Sequence, residues 1–194
     1  SEVLTYVLEQ VDKAINELPL TWPESETGRA TKGAALALKA RVLLYNERWA
    51  EAASTAKQLM DMGIYELHPN FGELFIRAFN NQTKEVILAY QHAEVVRQHN
   101  VFRKYAFFSI GGWALCLATP SIMNAFECID GLPIDESPLY DPENPSQNRD
   151  PRCNETLIFP FTEFTEHFYF DPFEGRNPTF SLTNLHFKKY IADM

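Results

Sequence analysis

One guanidinium and four rings stand close together in the middle of the chain: Arg103, Tyr105, Phe107, Phe108 and Trp113. Trp113 follows Gly111-Gly112, and two glycines let the backbone turn sharply enough to present a ring to solvent. An indole face suits the C–H face of a sugar ring, while sugar hydroxyls need Arg, Asn or Asp alongside. This set is therefore the candidate ligand surface. The competing reading is that these rings fill a core, since large aromatics are mostly buried.

An oxygen-rich run follows further on: Asp141, Glu143, Asn144, Asn148 and Asp150. A calcium ion takes about six to eight oxygen ligands, so Asp141, Asn144 and Asp150 are weak candidates for a structural Ca²⁺. Their spacing does not match an EF-hand loop, and a solvated turn accounts for the same residues. Arg149-Asp150-Pro151-Arg152 concentrates charge, but Pro151 pushes Asp150 away from helical backbone angles. Asp150 is then expected to accept turn amides while an arginine pairs with it.

Catalytic signatures are weak. Glycoside hydrolysis needs two carboxylates about 5–10 Å apart across a cleft. Glu127, Asp130, Asp135 and Glu136 are available, but a chain with 26 carboxylates always offers such pairs. The five histidines show no zinc spacing, and there is no GxSxG, P-loop or GxGxxG pattern. Cys153 follows Arg152, which favours a thiolate, but no histidine is placed by sequence to act as its base. The expectation is a protein that is not an enzyme and has no cofactor, beyond that possible calcium ion.

Composition narrows the partners. The net charge is −9, which repels a phosphate backbone and makes nucleic acid an unsuitable partner. Aromatic residues make up 13% of the 194 residues, enough to supply both a core and stacking platforms. No run approaches the roughly 20 apolar residues of a membrane span. Three cysteines, Cys116, Cys128 and Cys153, form neither a CxxC pair nor a disulfide framework.

The elements that must position these residues begin with helices. Val3/Leu4, Val7/Leu8, Val11, Ala14/Ile15 and Leu18 recur on one helical face that Pro19 ends. Thr21–Arg29 reads as a loop. Thr31–Tyr45 and Trp49–Met62 form an αα-hairpin, with Gly63 at the capping position. Small residues (Ala34, Ala35, Ala52, Ala53, Ala56) allow the two helices to approach, and Tyr45 and Trp49 are expected to fill the tight end. The pair resembles a tetratricopeptide hairpin, although no second copy appears at a fixed period. Beyond it the spacing predicts a short helix over Phe71–Phe79 and a strand or buried extended segment over Glu85–Tyr90. Gln91–Gly112 shows no clear period. A helix at Pro120–Phe126 is capped by Thr119 and ended by Asp130-Gly131. Six prolines make residues 130–160 turn-rich. Short strands are expected at Thr156–Phe161 and Leu185–Tyr190.

Three segments in order resemble the SusD/RagB family. The first runs from Gly28-Arg29-Ala30-Thr31-Lys32-Gly33-Ala34-Ala35 through Ala40-Arg41-Val42-Leu43-Leu44-Tyr45, with Trp49 and its Ala-rich helix. The second is Asn81 through Glu85-Val86-Ile87. The third is Pro120 through Phe126-Glu127 and Asp130-Gly131, then Tyr140-Asp141, Asn144-Pro145 and Asn148-Arg149-Asp150-Pro151-Arg152. Phe187-Lys188-Lys189-Tyr190-Ile191 is similar to a segment that follows. The resemblance implies a mainly α fold, a superhelical scaffold of tetratricopeptide-like hairpins with long irregular loops and a few short strands. Family members are longer, so residues 1–194 are expected to be a single partial domain. Its hairpin covers about 31–63 and its loop-rich ligand and partner region about 91–194.

The same resemblance implies a lipid-anchored outer-membrane protein facing the cell exterior of Bacteroidetes-type bacteria. It would bind oligosaccharide or polysaccharide and deliver it to a SusC-like TonB-dependent transporter without a covalent step. The alternatives are a helical scaffold that binds only protein through the 31–63 hairpin, and a glycoside hydrolase.

Overall fold

The computed structural model describes residues 1–76, 83–90, 100–165, 168–172 and 183–191. These fall into two compact units. The first comprises residues 1–69 and 83–90, and the second 70–76 with the described residues from 100 onward. Among the described residues the fold is mainly helical with a few short strands, as expected.

The first unit is built on three helices: α1 (Glu2–Glu17), α2 (Lys32–Tyr45) and α3 (Trp49–Asp61). The Ser1 hydroxyl accepts from the Leu4 amide to start α1, and extended Leu18 ahead of Pro19 ends it. The Thr31 hydroxyl caps α2 by accepting from the Ala34 amide. α2 packs on both α1 and α3. Val11, Ala35, Leu36, Leu43 and Ala52 form the buried seam. Burying one side chain such as Leu43 contributes about 1.5–3 kcal/mol. Ala35 and Ala52 keep the seam thin, whereas Ala53 faces solvent. Lys39 Nζ reaches Asp12 Oδ1 at 2.6 Å and ties α2 to α1.

Tyr45 and Trp49 do not fill the tight end of the hairpin; they are 76% and 60% exposed. The connection Asn46–Arg48 folds tightly on its own, with the Asn46 and Arg48 amides both donating to the Leu43 carbonyl. No space is left there for a ring. Gly63 takes φ +64 after α3, where an L-residue is strained. Residues 83–90 are not a strand. They alternate between half-buried and exposed, and Glu85 Oε2 accepts the His68 amide at 2.7 Å.

The second unit has shorter pieces. Two helices lie where no periodicity was visible: α4 (Val101–Tyr105) and α6 (Pro151–Thr156). Between them, α5 (Pro120–Ala125) starts with Pro120 as read, though the Thr119 side chain makes no capping bond. Phe71–Phe79 yields one 3₁₀ turn at Gly72–Phe75, and Arg77–Phe79 lie outside the described residues. The strand expected at Thr156–Phe161 is only β1 (Leu157–Ile158), because Thr156 closes α6. β1 pairs antiparallel with β4 (His186–Phe187), inside the expected Leu185–Tyr190 segment. β2 (Thr162–Thr165) and β3 (Phe168–Phe170) form a second antiparallel ribbon.

Two apolar clusters support this unit. Ala106, Phe107, Ile158, Phe170 and Ile191 make one; Ala118, Cys153, Leu157, Phe159 and Leu185 make the other. Successive residues of β1 face opposite ways, so Ile158 serves the first cluster and Leu157 the second.

Candidate functional site

The five residues of the candidate ligand surface divide sharply. α4 carries Arg103 and Tyr105, and residues 111–116 fold back along it. The Trp113 amide donates to the Arg103 carbonyl at 2.6 Å, and the Ala114 amide to the Ala106 carbonyl at 3.0 Å. Gly111 takes φ +85, and a Cβ on Gly112 would collide with the Ala106 backbone. Both glycines are therefore required, and they deliver Trp113 to the surface at 44% exposure. The Arg103 guanidinium lies 5.5 Å from the centre of the indole. Phe108 is also exposed, at 52%. Trp113 and Phe108 are thus exposed rings, and the Arg103 guanidinium lies over the indole.

The other two do not share that surface. Phe107 is 1% exposed, its ring 5.4 Å from Phe170 and 4.1 Å from the His186 imidazole. It has no face to offer a sugar; the core reading holds for it. Tyr105 is half-buried between Phe187, at 5.5 Å, and Tyr190, at 5.2 Å. Burial pushes its phenol above the ordinary value, with nearby Cys116 adding to the shift. Lys189 lies over Phe71 and Phe75 at 4.4 and 4.2 Å, and burial pushes its ammonium below the ordinary value.

The oxygen-rich run is occupied by local bonds. Asp141 accepts from the Glu143 amide and from the Asn144 side-chain amide at 2.9 and 2.7 Å, bonds that hold its carboxyl below the usual range. Asp150 caps α6 by accepting the Arg152 amide at 2.9 Å, and its carboxylate pairs with the Arg152 guanidinium. That pairing holds the Asp150 carboxyl below the usual range. The Asn148 side-chain amide donates to the Leu139 carbonyl. Among the described residues, no group of three or more His, Cys, Asp or Glu is placed to hold a metal ion.

Arg149 behaves quite differently from Arg152, three residues away. It is 3% exposed and donates to the carbonyls of Pro145, Met123 and Phe126 at 2.9, 2.5 and 2.8 Å. Its guanidinium also lies 5.6 Å from the Tyr140 ring centre. It staples α5 to the turn-rich segment that follows. Cys153 is fully buried behind it, and burial pushes its thiol up to about 11. Arg152 pairs with Asp150; the lowering that does reach the thiol comes from Arg149 and is outweighed by burial. A thiol in this state is no nucleophile at neutral pH. Asp130, one of the four carboxylates considered for hydrolysis, accepts from the Leu132 amide and the Ser137 hydroxyl in a tight turn.

A concave feature in the first unit was not visible in the sequence. A cleft of about 370 Å³ is lined by Trp22, Arg29, Tyr65 and Leu88, with Thr21, Thr31 and Thr83 around them. Trp22 Nε1 donates to the Ala30 carbonyl at 2.7 Å, which fixes the indole. The only hint in the sequence was a tryptophan inside the Thr21–Arg29 loop, where core packing does not require one.

These features define a class: a helical scaffold that holds exposed rings beside locally paired charges. Solved structures place it further. A SusD-like carbohydrate-binding protein of Bacteroides fragilis superposes with a TM-score of 0.85 at 25% identity, over 97% of this chain and 39% of that one. A second SusD-like protein of B. fragilis gives 0.77 at 26% identity, over 98% and 42%. A SusD superfamily protein of Bacteroides vulgatus gives 0.62 at 21% identity, over 94% and 36%, a likeness of fold alone. No family model and no curated protein matches the chain. The chain is SusD-like in fold, and spans about two fifths of the length of these solved proteins.

Proposed function

We propose that this chain belongs to a cell-surface glycan-binding protein that captures oligosaccharide and passes it, chemically unchanged, to a SusC-like TonB-dependent transporter. The observation that carries the reading is the exposed Trp113 indole, held out by Gly111-Gly112 with Arg103 against it and Phe108 nearby. Stacking on the ring and hydrogen bonds from the guanidinium supply reversible binding without a reacting group. The description of one matched B. fragilis protein as carbohydrate-binding supports the ligand class. Outer-membrane attachment and the transporter belong to the proposal through the same likeness. The acidic, proline-rich 130–160 segment is the surface it offers for that contact. Among the described residues no helix is long and apolar enough to cross a membrane.

Affinity electrophoresis through polysaccharide gels tests this. Retention of the native chain and at least a tenfold loss in Trp113→Ala are expected, about 1.4 kcal/mol or more. Unchanged retention removes Trp113 from the site, and release of reducing sugar would favour a hydrolase.

A second reading has its own support. Leu38, Leu44, Tyr45, Trp49 and Met60 are all exposed on the α2–α3 hairpin, apolar side chains available for protein contact. Capture of a protein partner with no sugar affinity would favour that scaffold role.

A further inference from the structure

We infer that the Trp22 cleft of the first unit is a separate subsite for an uncharged mono- or disaccharide. The inference takes its ligand class from the proposed glycan function but concerns different residues and a different unit. Its size, about 370 Å³, lies at the small end of ligand pockets, which span about 300–1,000 Å³.

The lining explains the ligand class. Trp22 offers an aromatic wall whose orientation is already fixed by its bond to Ala30, so binding costs little ordering there. Tyr65 is equally constrained. Its ring presses on Gly33, where a Cβ would lie 2.6 Å from the nearest ring carbon, and its hydroxyl sits 3.4 Å from that of Thr31. Tyr65 and the lining threonines Thr21, Thr31 and Thr83 supply donors and acceptors for a polyol.

Charge decides between a neutral and an ionic ligand. The charged residues at the cleft are Arg29 and Glu26, and they pair with each other at 3.2 Å. Paired, the two charges cancel and leave the cleft no net charge to draw an anion or a cation. The Arg29 guanidinium also lies over the Trp22 ring, 5.1 Å from its centre, so one face of the indole is already covered and a sugar must use the other. The cleft thus pairs aliphatic walls (Leu20, Ile64, Val86, Ile87) with an aromatic ring and a few hydroxyls and carries no net charge, which suits a sugar whose C–H faces pack on apolar surface and which bears no acid group.

The test labels the intact chain with 5-fluorotryptophan, which places a reporter at each of its three tryptophans. The Trp22 signal is identified by its loss in Trp22→Phe. The ligands are methyl glycosides of glucose, galactose, mannose and N-acetylglucosamine, with maltose and cellobiose. The Trp22 resonance is expected to shift saturably with at least one of them, and to do so equally in Trp113→Ala. Leu88→Glu places a carboxylate at the cleft from an exposed position and should weaken that response about tenfold. A Trp22 signal that ignores every sugar overturns the inference, as does one that shifts only with an apolar peptide such as N-acetyl-leucyl-leucinamide. A shift unaltered in Leu88→Glu overturns it as well. Loss of polysaccharide retention in Trp113→Ala with the Trp22 response intact separates the two sites. A Trp22 response in a chain that retains no polysaccharide would sink the first reading alone.

Discussion

The first unit is stabilised by repetition and the second by singular contacts. In the helical unit, many similar apolar residues share the seam between α1, α2 and α3, and each is one of several. In the second unit, single residues hold whole segments: Arg149 binds three carbonyls, and Gly112 admits the Ala106 backbone. A seam of small, interchangeable contributions tolerates change at its edges. A staple does not, because removing it takes a donor from several partners at once.

Arg149→Ala puts that contrast under the greatest strain. Three half-buried carbonyls lose a charged donor, and the expected loss is about 3–5 kcal/mol in denaturant unfolding. A loss below about 1 kcal/mol would mean the staple is replaceable and the contrast false. Asp150→Asn tests the neighbouring contact: Asn still caps α6, so only the ion pair with exposed Arg152 is lost, and the loss near neutral pH should stay below about 1 kcal/mol. Arg152 holds the folded Asp150 carboxyl below its unfolded value. Its stabilisation is therefore complete above the unfolded pKa of about 3.9 and is lost as pH falls through the lower folded value. Thermal melts of the native chain and Asp150→Asn should converge only in that acid window.

In the first unit, Tyr45→Ser at the exposed hairpin tip should change stability by no more than about 0.5 kcal/mol. A larger loss in a thermal melt would show that the tip is part of the seam. The smallest effect is expected from calcium. Asp141 and Asp150 already spend their oxygens on amides and Arg152, so Ca²⁺ or EDTA should leave the melting temperature unchanged. A rise with Ca²⁺ would mean those local bonds rearrange around an ion.

The same contrast explains what the sequence could disclose. α1 was legible because a buried face repeats every three to four residues, α2 because an Ala- and Leu-rich run favours helix, and Gly63 marked the end of α3. α4 and α6 were not, since five or six residues complete too few turns to show a period. Position after two glycines pointed correctly to an exposed Trp113. Adjacent Phe107 and Phe108 look alike in sequence, yet one is core and the other surface, because only tertiary pairing with Phe170 and His186 separates them. Arg149 and Arg152 likewise differ by a partner and not by type. Tyr45 and Trp49 misled for the opposite reason: their bulk suggested filler, but the Asn46–Arg48 connection bonds to Leu43 and leaves nothing to fill.

β1 is only two residues long, yet Leu157 anchors one apolar cluster and Ile158 the other. It acts as a rivet through two plates. Neither layer of the second unit can loosen without pulling on the same short piece of backbone, so these layers should melt together, in a single cooperative step.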